Sequence, residues 1–307
     1  MLCVIRFLLA TALILQVGTD GPPPVFKSSV DVVRLAAVVR DDRGRFVRNL
    51  RAGEFEVFDS GRMRPITDFR QEIAGLSVAL LFDVSGSMEG QLVHAREAAS
   101  LLLSNLDAAR DEAAVFRFDT QLVETAPFTT GLKQLPASMS TVVPFGATSL
   151  LDAIARTAER VAAREGHRRA VVVFTDGFDN ASKLTLPQVS GIASSIDVPV
   201  YIVGVVSPLD DPTSDGSTPS AAHSPLAGAL ANLAGWTGGG TFVASGPEQR
   251  SIVARQIVDE LRHQYLIAIE SGTQPGWHRL TVRMRNKDLV AHARSGYFVG
   301  HARPDSQ

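Results

Sequence analysis

The sequence predicts an α/β fold with a doubly wound, mostly parallel sheet and helices on both faces, plus a small all-β domain. Three continuous apolar runs, at residues 77–82, 170–174 and 198–206, have the composition of strands buried on both faces. Helical segments lie between the first two runs and after the third, as in folds where helices connect the strands of a parallel sheet. Both ends of the chain carry shorter strand patterns with turn signals, which are typical of antiparallel sheets.

Length and composition limit the class of protein. The chain has 307 residues, of which 45% are hydrophobic and 20% charged, so it can bury a sizeable core. Thirty Lys and Arg against 32 Asp and Glu give a formal charge of −2, which leaves no basic excess to neutralise nucleic-acid phosphates. Cys3 is the only cysteine, which excludes a disulfide framework and a zinc site built from several cysteines.

Residues 1–20 have the pattern of a secretory signal peptide. Arg6 precedes an apolar run over residues 7–17, which as a helix would span roughly 16 Å, too short for a bilayer core of about 30 Å. We therefore predict export to the periplasm or the medium, with no membrane span in the mature chain. An uncleaved anchor and a buried N-terminal helix are the alternatives.

The N-terminal segment, residues 28–72, is predicted to form the first part of the small β domain. Residues 30–39 are rich in β-branched side chains, and a turn signal at residues 41–44 ends this strand. Residues 54–58 alternate polar and apolar side chains, as a half-buried strand does. A turn at Asp59-Ser60-Gly61 then leads into a further strand, predicted over residues 63–69.

The α/β domain is predicted over residues 76–262, where strands and helices alternate. Besides the apolar runs, a strand is predicted over 113–118, and helices are predicted over 91–106, 150–164, 226–233 and 249–261. A stretch rich in Ser, Pro and Asp, residues 207–225, is interpreted as a mobile surface loop. Residues 263–299 return to a β pattern and are expected to complete the small β domain, with strands over 264–270, 279–284 and 289–299.

Oxygen-bearing side chains stand directly after two of the predicted strands and before one helix. Loops beyond the carboxyl ends of parallel strands share one edge of a sheet, so these side chains can converge there. Two carboxylates and three hydroxyls are a donor set for a hard divalent cation, and the sequence therefore predicts a metal site. Mg²⁺ is favoured, with Mn²⁺ and Ca²⁺ as alternatives. The predicted metal ligands are Asp83, Ser85, Ser87, Thr148 and Asp176.

The segments Asp83-Val84-Ser85-Gly86-Ser87 and Thr175-Asp176-Gly177, with Thr148 between them, resemble the metal-ion-dependent adhesion site of von Willebrand factor type A (VWA) domains. The resemblance covers roughly residues 76–262 and implies a Rossmann-like VWA sheet with an intact site, because all five side-chain positions are filled. In that family an acidic residue of a protein ligand completes the coordination of the metal. A protein partner that offers an acidic side chain is therefore expected.

A narrower resemblance covers nearly the whole mature chain. Residues 30–69, 233–239 and 295–298, together with Gln264-Tyr265, are similar to bacterial VWFA-related proteins typical of Acidobacteria. Those proteins look exported and have no assigned enzymatic activity. The resemblance therefore implies a binding protein without catalytic residues or an organic cofactor, and it names neither the partner nor the oligomeric state.

Three functions stay open at this point. The leading prediction is an exported, divalent-metal-dependent protein-binding module that acts in adhesion or assembly. A Mg²⁺-dependent phosphohydrolase of the haloacid dehalogenase type also places an Asp after its first buried strand, but it needs a second Asp where this chain has Ser85. The third possibility is a structural or assembly protein that binds through its β domain while the metal site stays idle.

Some of these side chains also have a plain structural interpretation. Ser and Asp commonly cap helices, and Thr148 stands just before the helix predicted at 150–164. A cap needs one such residue and not three that alternate, so metal binding is favoured at Asp83, Ser85 and Ser87. Asp179 is either a residue that supports the metal ligands from behind or a solvated loop charge, and the second interpretation is favoured.

Overall fold

The computed structural model describes residues 32–71, 74–165, 167–195, 197–205 and 227–299. The predicted signal peptide and the predicted loop at 207–225 lie outside these residues. Within the described part of the chain, no helix is long and apolar enough to cross a membrane.

The described residues form fourteen strands and five α-helices. The strands are β1 (Val32–Arg40), β2 (Phe55–Asp59), β3 (Arg62–Arg64), β4 (Ile66–Arg70), β5 (Gly75–Asp83), β6 (Glu112–Phe118), β7 (Leu122–Thr130), β8 (His167–Thr175), β9 (Val200–Gly204), β10 (Thr241–Val243), β11 (Tyr265–Glu270), β12 (Gly276–Met284), β13 (Val290–Ala293) and β14 (Gly296–Val299). The helices are α1 (Leu92–Asn105), α2 (Leu150–Ala162), α3 (Leu186–Ser195), α4 (Ala227–Thr237) and α5 (Pro247–Arg262).

A six-stranded sheet forms the centre of the α/β part. Its strand order is β10-β9-β8-β5-β6-β7, and every neighbouring pair is parallel except β6 with β7. β5 and β8 lie side by side in the middle, where both faces of a strand are covered. This position explains why their sequences are continuous apolar runs and not alternating ones.

Helices cover both faces of this sheet. Val78 and Leu80 of β5 share an apolar cluster with residues of α1 and α5. Ala79 and Leu81 point to the opposite face and pack with residues of α2, α3 and α4. Successive side chains of a strand point to opposite faces, so a single buried strand supplies both clusters. The predicted mixed α/β fold, with a mostly parallel sheet between layers of helices, is confirmed.

Three elements of the α/β part are not predicted by the sequence: the short strand β10, the strand β7 and the helix α3. β7 is an antiparallel edge strand with mostly half-buried or exposed residues, and it contains Pro127, which edge strands tolerate. α3 carries Pro187 in its first turn, where a missing N–H costs no intrahelical hydrogen bond. Both proline residues obscure a regular pattern without interrupting the element.

The N-terminal and C-terminal segments pair with each other in two further sheets. One has the strand order β13-β1-β11-β4 and the other β14-β12-β2-β3, so each combines strands from both ends of the chain. Their inward faces share an apolar cluster that includes Leu35, Val57, Tyr265 and Ile267. The described residues form one compact unit, and a separate β domain stays a prediction.

Two strands that the sequence predicts as continuous, over residues 63–69 and 289–299, are each divided between these two sheets. Pro65 separates β3, which pairs with β2, from β4, which pairs with β11. Pro65 has no N–H to donate to a ladder, so the strand ends there and the chain crosses to the other sheet. In the same way Arg294 and Ser295 separate β13 in the first sheet from β14 in the second.

Buried polar side chains tie β2, β12 and β14 together. The carboxylate of Asp59 accepts hydrogen bonds from His278 Nδ1 at 2.8 Å, Arg64 Nη2 at 3.0 Å and Tyr297 Oη at 3.1 Å. The other ring nitrogen of His278 lies 2.7 Å from the carbonyl oxygen of Gln274. Both ring nitrogens face oxygen acceptors, an arrangement that favours the protonated ring, in which both nitrogens donate. Burial lowers the pKa of His278, but the hydrogen bonds to Gln274 and Asp59 outweigh it and raise the pKa.

We expect the free energy of unfolding to fall as the pH rises above about 6.5, the value for an unfolded histidine. A raised pKa in the folded state adds stability that is complete below the unfolded value and is lost as the pH passes the folded value. His278→Gln should lower the free energy of unfolding by roughly 1–3 kcal/mol near pH 6 and flatten this dependence. Urea unfolding of both chains at pH values below and above about 6.5 measures the free energy of unfolding and its dependence on pH.

His94→Gln is the matched control for this experiment, because the His94 ring faces Glu97 and not Asp59. This variant leaves the contacts of His278 with Asp59 and Gln274 intact, so it should keep the part of the pH dependence that arises from them. A His278→Gln variant with an unchanged dependence would show that the imidazole does not contribute in this way.

The connection between α4 and β10 passes very close to β9. A Cβ atom on Gly239 would overlap the carbonyl group of Val200, whereas a Cβ on Gly235 within α4 would meet no atom within 4 Å. We expect Gly239→Ala to lower the free energy of unfolding by at least about 2 kcal/mol. Gly235→Ala, the matched control, should be neutral or stabilise by up to ~1 kcal/mol. Equal effects of the two variants in denaturant unfolding would contradict this expectation.

Candidate functional site

The predicted ligands lie in loops that leave one edge of the central sheet. Asp83 is the last residue of β5, and Asp176 directly follows the last residue of β8. These two strands are parallel neighbours, so their carboxyl ends meet at the same edge. We call residues 84–87 the first loop, residues 145–149 the second loop and residues 176–182 the third loop.

Backbone hydrogen bonds join the three loops to each other. The amide of Gly86 donates to the carbonyl of Gly146 at 3.0 Å, and the amide of Phe145 donates to the carbonyl of Val84 at 2.9 Å. The amides of Asn180 and Ala181 in the third loop both donate to the carbonyl of Thr148, at 3.1 and 3.0 Å. The second loop is therefore held between the other two, although its sequence is distant from both.

Asp83 and Ser85 are the most deeply buried of the predicted ligands, and neither has exposed surface. Asp83 Oδ1 accepts hydrogen bonds from the Ser85 amide at 3.0 Å and the Ser85 hydroxyl at 2.6 Å, while Asp83 Oδ2 accepts one from the Thr175 hydroxyl at 2.7 Å. Burial raises the pKa of Asp83 to about 6, against the lowering effect of these hydrogen bonds. The neighbouring charge of Asp176 raises this pKa further.

The hydroxyl groups of the first loop have defined roles. Ser85 and Ser87 lie with their Oγ atoms 3.2 Å apart. Ser85 has a single hydroxyl hydrogen and donates it to Asp83, so Ser87 must be the donor between the two. Ser85 makes no cap at the 3₁₀ turn Gly86–Met88 that follows it. Its side chain is turned towards the carboxylate, and the capping alternative does not apply to it.

Thr148 is 2% exposed and is positioned by a residue that the sequence did not single out. Its amide donates to the side-chain oxygen of Asn180 at 2.8 Å. The first turn of α2 is satisfied from the third loop, where Asp179 Oδ2 and Ser182 Oγ accept from the Leu151 amide at 3.1 and 3.0 Å. Asp179 is thus a helix-capping residue, and the interpretation as a solvated charge was wrong. Its only sequence signal is its place in the loop after a buried strand.

The donor chemistry at this edge fits a hard divalent cation. Two carboxylates, Asp83 and Asp176, are accompanied by hydroxyl groups, and these are the oxygen donors that Mg²⁺ and Ca²⁺ prefer. The described residues contain no cluster of three or more His, Cys, Asp or Glu side chains able to hold a metal. A cation at this edge would therefore need the hydroxyl oxygens as well. Ser87 is exposed and Asp176 half-buried, so the edge is open to an incoming ligand.

Large apolar side chains stand exposed on the same loops. Phe145 is 81% exposed although its own backbone is bonded to Val84, and Val143 just before it is 80% exposed. Phe178, two residues after Asp176, is 54% exposed. Phe145 and Phe178 belong to the second and third loops, which backbone hydrogen bonds join, and Val143 lies two residues before the second loop. The three side chains form an apolar rim beside the acidic edge, and apolar patches rimmed by polar groups are typical of protein interaction sites.

Comparison with known proteins gives partial similarities. No curated protein sequence matches the chain. Among solved structures, an aerotolerance-related membrane protein from Bacteroides fragilis is 21% identical, with a TM-score of 0.47, over 61% of this chain and 98% of that chain. BatB from Bacteroides thetaiotaomicron is 20% identical, with a TM-score of 0.46, over the same shares of the two chains. A von Willebrand factor type A protein from Catenulispora acidiphila is 12% identical, with a TM-score of 0.45, over 89% of this chain and 74% of that chain.

A family model covers the part of the chain that holds all five predicted ligands. The matched region begins within β5, includes the first and second loops and β8, and ends inside the third loop. Residues 78–178 of this chain match the von Willebrand factor type A domain.

Proposed function

We propose that this protein is an exported, divalent-cation-dependent protein-binding module that acts in adhesion or assembly. The mutual hydrogen bonding of the three loops carries the proposal, because it gathers carboxylates and hydroxyls from distant parts of the sequence at one open edge. Domains of the matched type commonly mediate protein interaction and adhesion. Export to the periplasm or the medium rests on the signal-peptide pattern of residues 1–20.

The predicted ligands are of two kinds, charged carboxylates and neutral hydroxyl groups. Asp83 and Asp176 supply the negative charge that balances a divalent cation, and Ser85, Ser87 and Thr148 supply neutral oxygens. A bound cation would supply an open coordination position for the acidic side chain of a protein partner. Mg²⁺ is the favoured ion, with Mn²⁺ or Ca²⁺ as alternatives.

The surroundings of the site favour binding over catalysis. A phosphohydrolase of the haloacid dehalogenase type needs a second carboxylate two residues after its nucleophile, as a general acid. Here that position is Ser85, whose hydroxyl donates to Asp83 and is buried. The apolar rim of Val143, Phe145 and Phe178 instead suits a protein surface that places apolar side chains around its acidic residue.

A protein that uses its β sheets while the cation site stays idle is the competing proposal. It predicts binding that is insensitive to chelator and to changes at Asp83. The two proposals are therefore separated by the same experiments.

We expect a divalent cation to raise the midpoint of thermal unfolding of the mature chain. At about 100 times its dissociation constant, a ligand stabilises by roughly 2.7 kcal/mol, which corresponds to a shift of roughly 5–10 °C for a protein of this size. Asp83→Ala should lose this shift, and so should Asp83→Asn, which keeps the shape of the side chain. Unfolding scans with EDTA, Mg²⁺, Mn²⁺ or Ca²⁺ provide the measurement.

Asp119→Asn is the matched control for the Asp83 variants. Asp119 directly follows β6, and its carboxylate accepts a hydrogen bond from the Gln121 amide, outside the predicted donor set. This variant should keep the full shift with cation. The absence of a shift with every cation in the unmodified chain, or equal shifts in both kinds of variant, would contradict the proposed site.

Partner capture should need both the cation and the apolar rim. Immobilised mature chain should retain a partner in Mg²⁺ and release it in EDTA, and Asp83→Ala should retain none. Phe145→Ser and Phe178→Ser should weaken capture while leaving the cation-dependent thermal shift intact, because neither side chain supplies an oxygen ligand. Val93→Ser, which changes an exposed residue of α1, is the control. Capture that persists in EDTA and in Asp83→Ala would support the β sheets as the binding surface.

A further inference from the structure

A cavity of about 290 Å³ lies at the end of the central sheet opposite the three loops. It is lined by His167, the first residue of β8, whereas the predicted ligands follow Thr175, the last residue of that strand. At ~3.3 Å per residue, these two positions are roughly 26 Å apart. The cavity is therefore separate from the proposed cation site.

The cavity exists because the sheet that forms its floor carries small side chains in the middle. On β1, Leu35 points into the apolar cluster, while Arg34 and Ala36 line the cavity. Ala268 of β11 pairs with Arg34 and also lines the cavity. Alternation along the strand places one set of side chains inward and the other outward. The two alanines leave open space that longer side chains would fill.

Positive charge is concentrated around this space. Among the described residues that line the cavity, five are arginines and two, Asp68 and Asp197, are carboxylates, in a chain with a formal charge of −2. Asp68 lies 2.9 Å from Arg70 and pairs with it, so the other four arginines face one further carboxylate of this set. The excess therefore does not reflect the composition of the chain. The lining cations are Arg34, Arg70, Arg168, Arg169 and Arg294, with His167 beside them.

Two of these arginines are buried and held in fixed positions. Arg168 is 6% exposed and donates to the carbonyl oxygens of Leu261 at 2.8 Å and Gln264 at 3.0 Å. Arg294 is also 6% exposed, donates to the carbonyl oxygen of Arg34 and has Asp197 at 3.9 Å. The hydrogen bonds to carbonyl groups orient both guanidinium groups, and the carboxylate of Asp197 offsets part of the charge of Arg294. Guanidinium groups fixed in this way match the geometry of carboxylate and phosphate groups.

We propose that this cavity binds a small organic anion, with a carboxylate or phosphate group among the arginines and an apolar body on the sheet floor. Leu266 and Ala36, which pair across β11 and β1, provide the apolar surface. The volume lies near the lower limit for small-molecule sites, roughly 300–1,000 Å³, which favours a compact ligand. The proposal is independent of the cation site.

Four probes separate charge from shape. Phenyl phosphate and benzoate carry a ring and an anionic group, inorganic phosphate lacks the ring, and benzyl alcohol lacks the charge. In EDTA and at constant ionic strength, phenyl phosphate or benzoate should raise the unfolding midpoint of the mature chain saturably. The shift should reach roughly 5–10 °C at about 100 times the dissociation constant. Benzyl alcohol should cause no shift, and inorganic phosphate should bind more weakly than phenyl phosphate.

Charge reversal tests the location. Arg34→Glu and Arg70→Glu change exposed side chains on opposite edges of the floor, and each should weaken binding by calorimetry at least about tenfold. Arg62→Glu, an exposed position on β3 outside the cavity, is the matched control and should bind as the unmodified chain does. Asp83→Ala should also bind normally. The absence of a saturable shift, or equal weakening in Arg62→Glu and the cavity variants, would overturn the proposal.

Discussion

The parallel pairing of β5 with β8 is the constraint on which the candidate site depends. Phe82 pairs with Phe174 in this register, and their rings stack with centroids 5.0 Å apart inside the core. The next residue on each strand is Asp83 or Thr175, and the hydroxyl of Thr175 therefore reaches the carboxylate of Asp83. A slip of one residue would turn Asp83 to the other face of the sheet, so apolar packing sets the geometry of the polar edge.

A buried carboxylate is costly unless hydrogen bonds or a positive charge compensate for it. Asp83 receives three hydrogen bonds from Ser85 and Thr175, and its pKa is nevertheless raised to about 6 by burial. A second carboxylate, Asp176, follows β8 directly and adds repulsion. An arrangement that opposes local stability in this way is typical of a functional site and not of a structural one.

Sequence reasoning recovered the parts of the fold that depend on local pattern. The apolar runs of β5 and β8 and the periodicity of α1 and α2 each predict their element within two or three residues. The sequence also predicts that the candidate loops lie close together, because the carboxyl ends of neighbouring parallel strands meet at one edge of a sheet. Whether a cation occupies this edge stays a prediction.

Other features depend on contacts between distant residues, which local pattern cannot show. Asn180 and Asp179 look like ordinary loop residues, and only the folded chain shows that they hold Thr148 and the first turn of α2. The division of one predicted strand at Pro65 depends equally on which partner strands are available on either side. In each case the local sequence does not show which residue or strand will lie opposite, because that depends on the topology of the whole chain.

Pairing between the two ends of the chain also determines where the cavity can form. β1 pairs with β11 along six residues, from Val32 opposite Glu270 to Ala37 opposite Tyr265, which closes the chain around the whole α/β part. The entropy cost of closing a long loop grows only slowly with its length, so this pairing tolerates a large insertion. The same pairing brings Arg34 to the cavity that His167 of β8 also lines. Acidic groups therefore collect where the central strands end, and basic groups collect where β8 begins against the outer sheet.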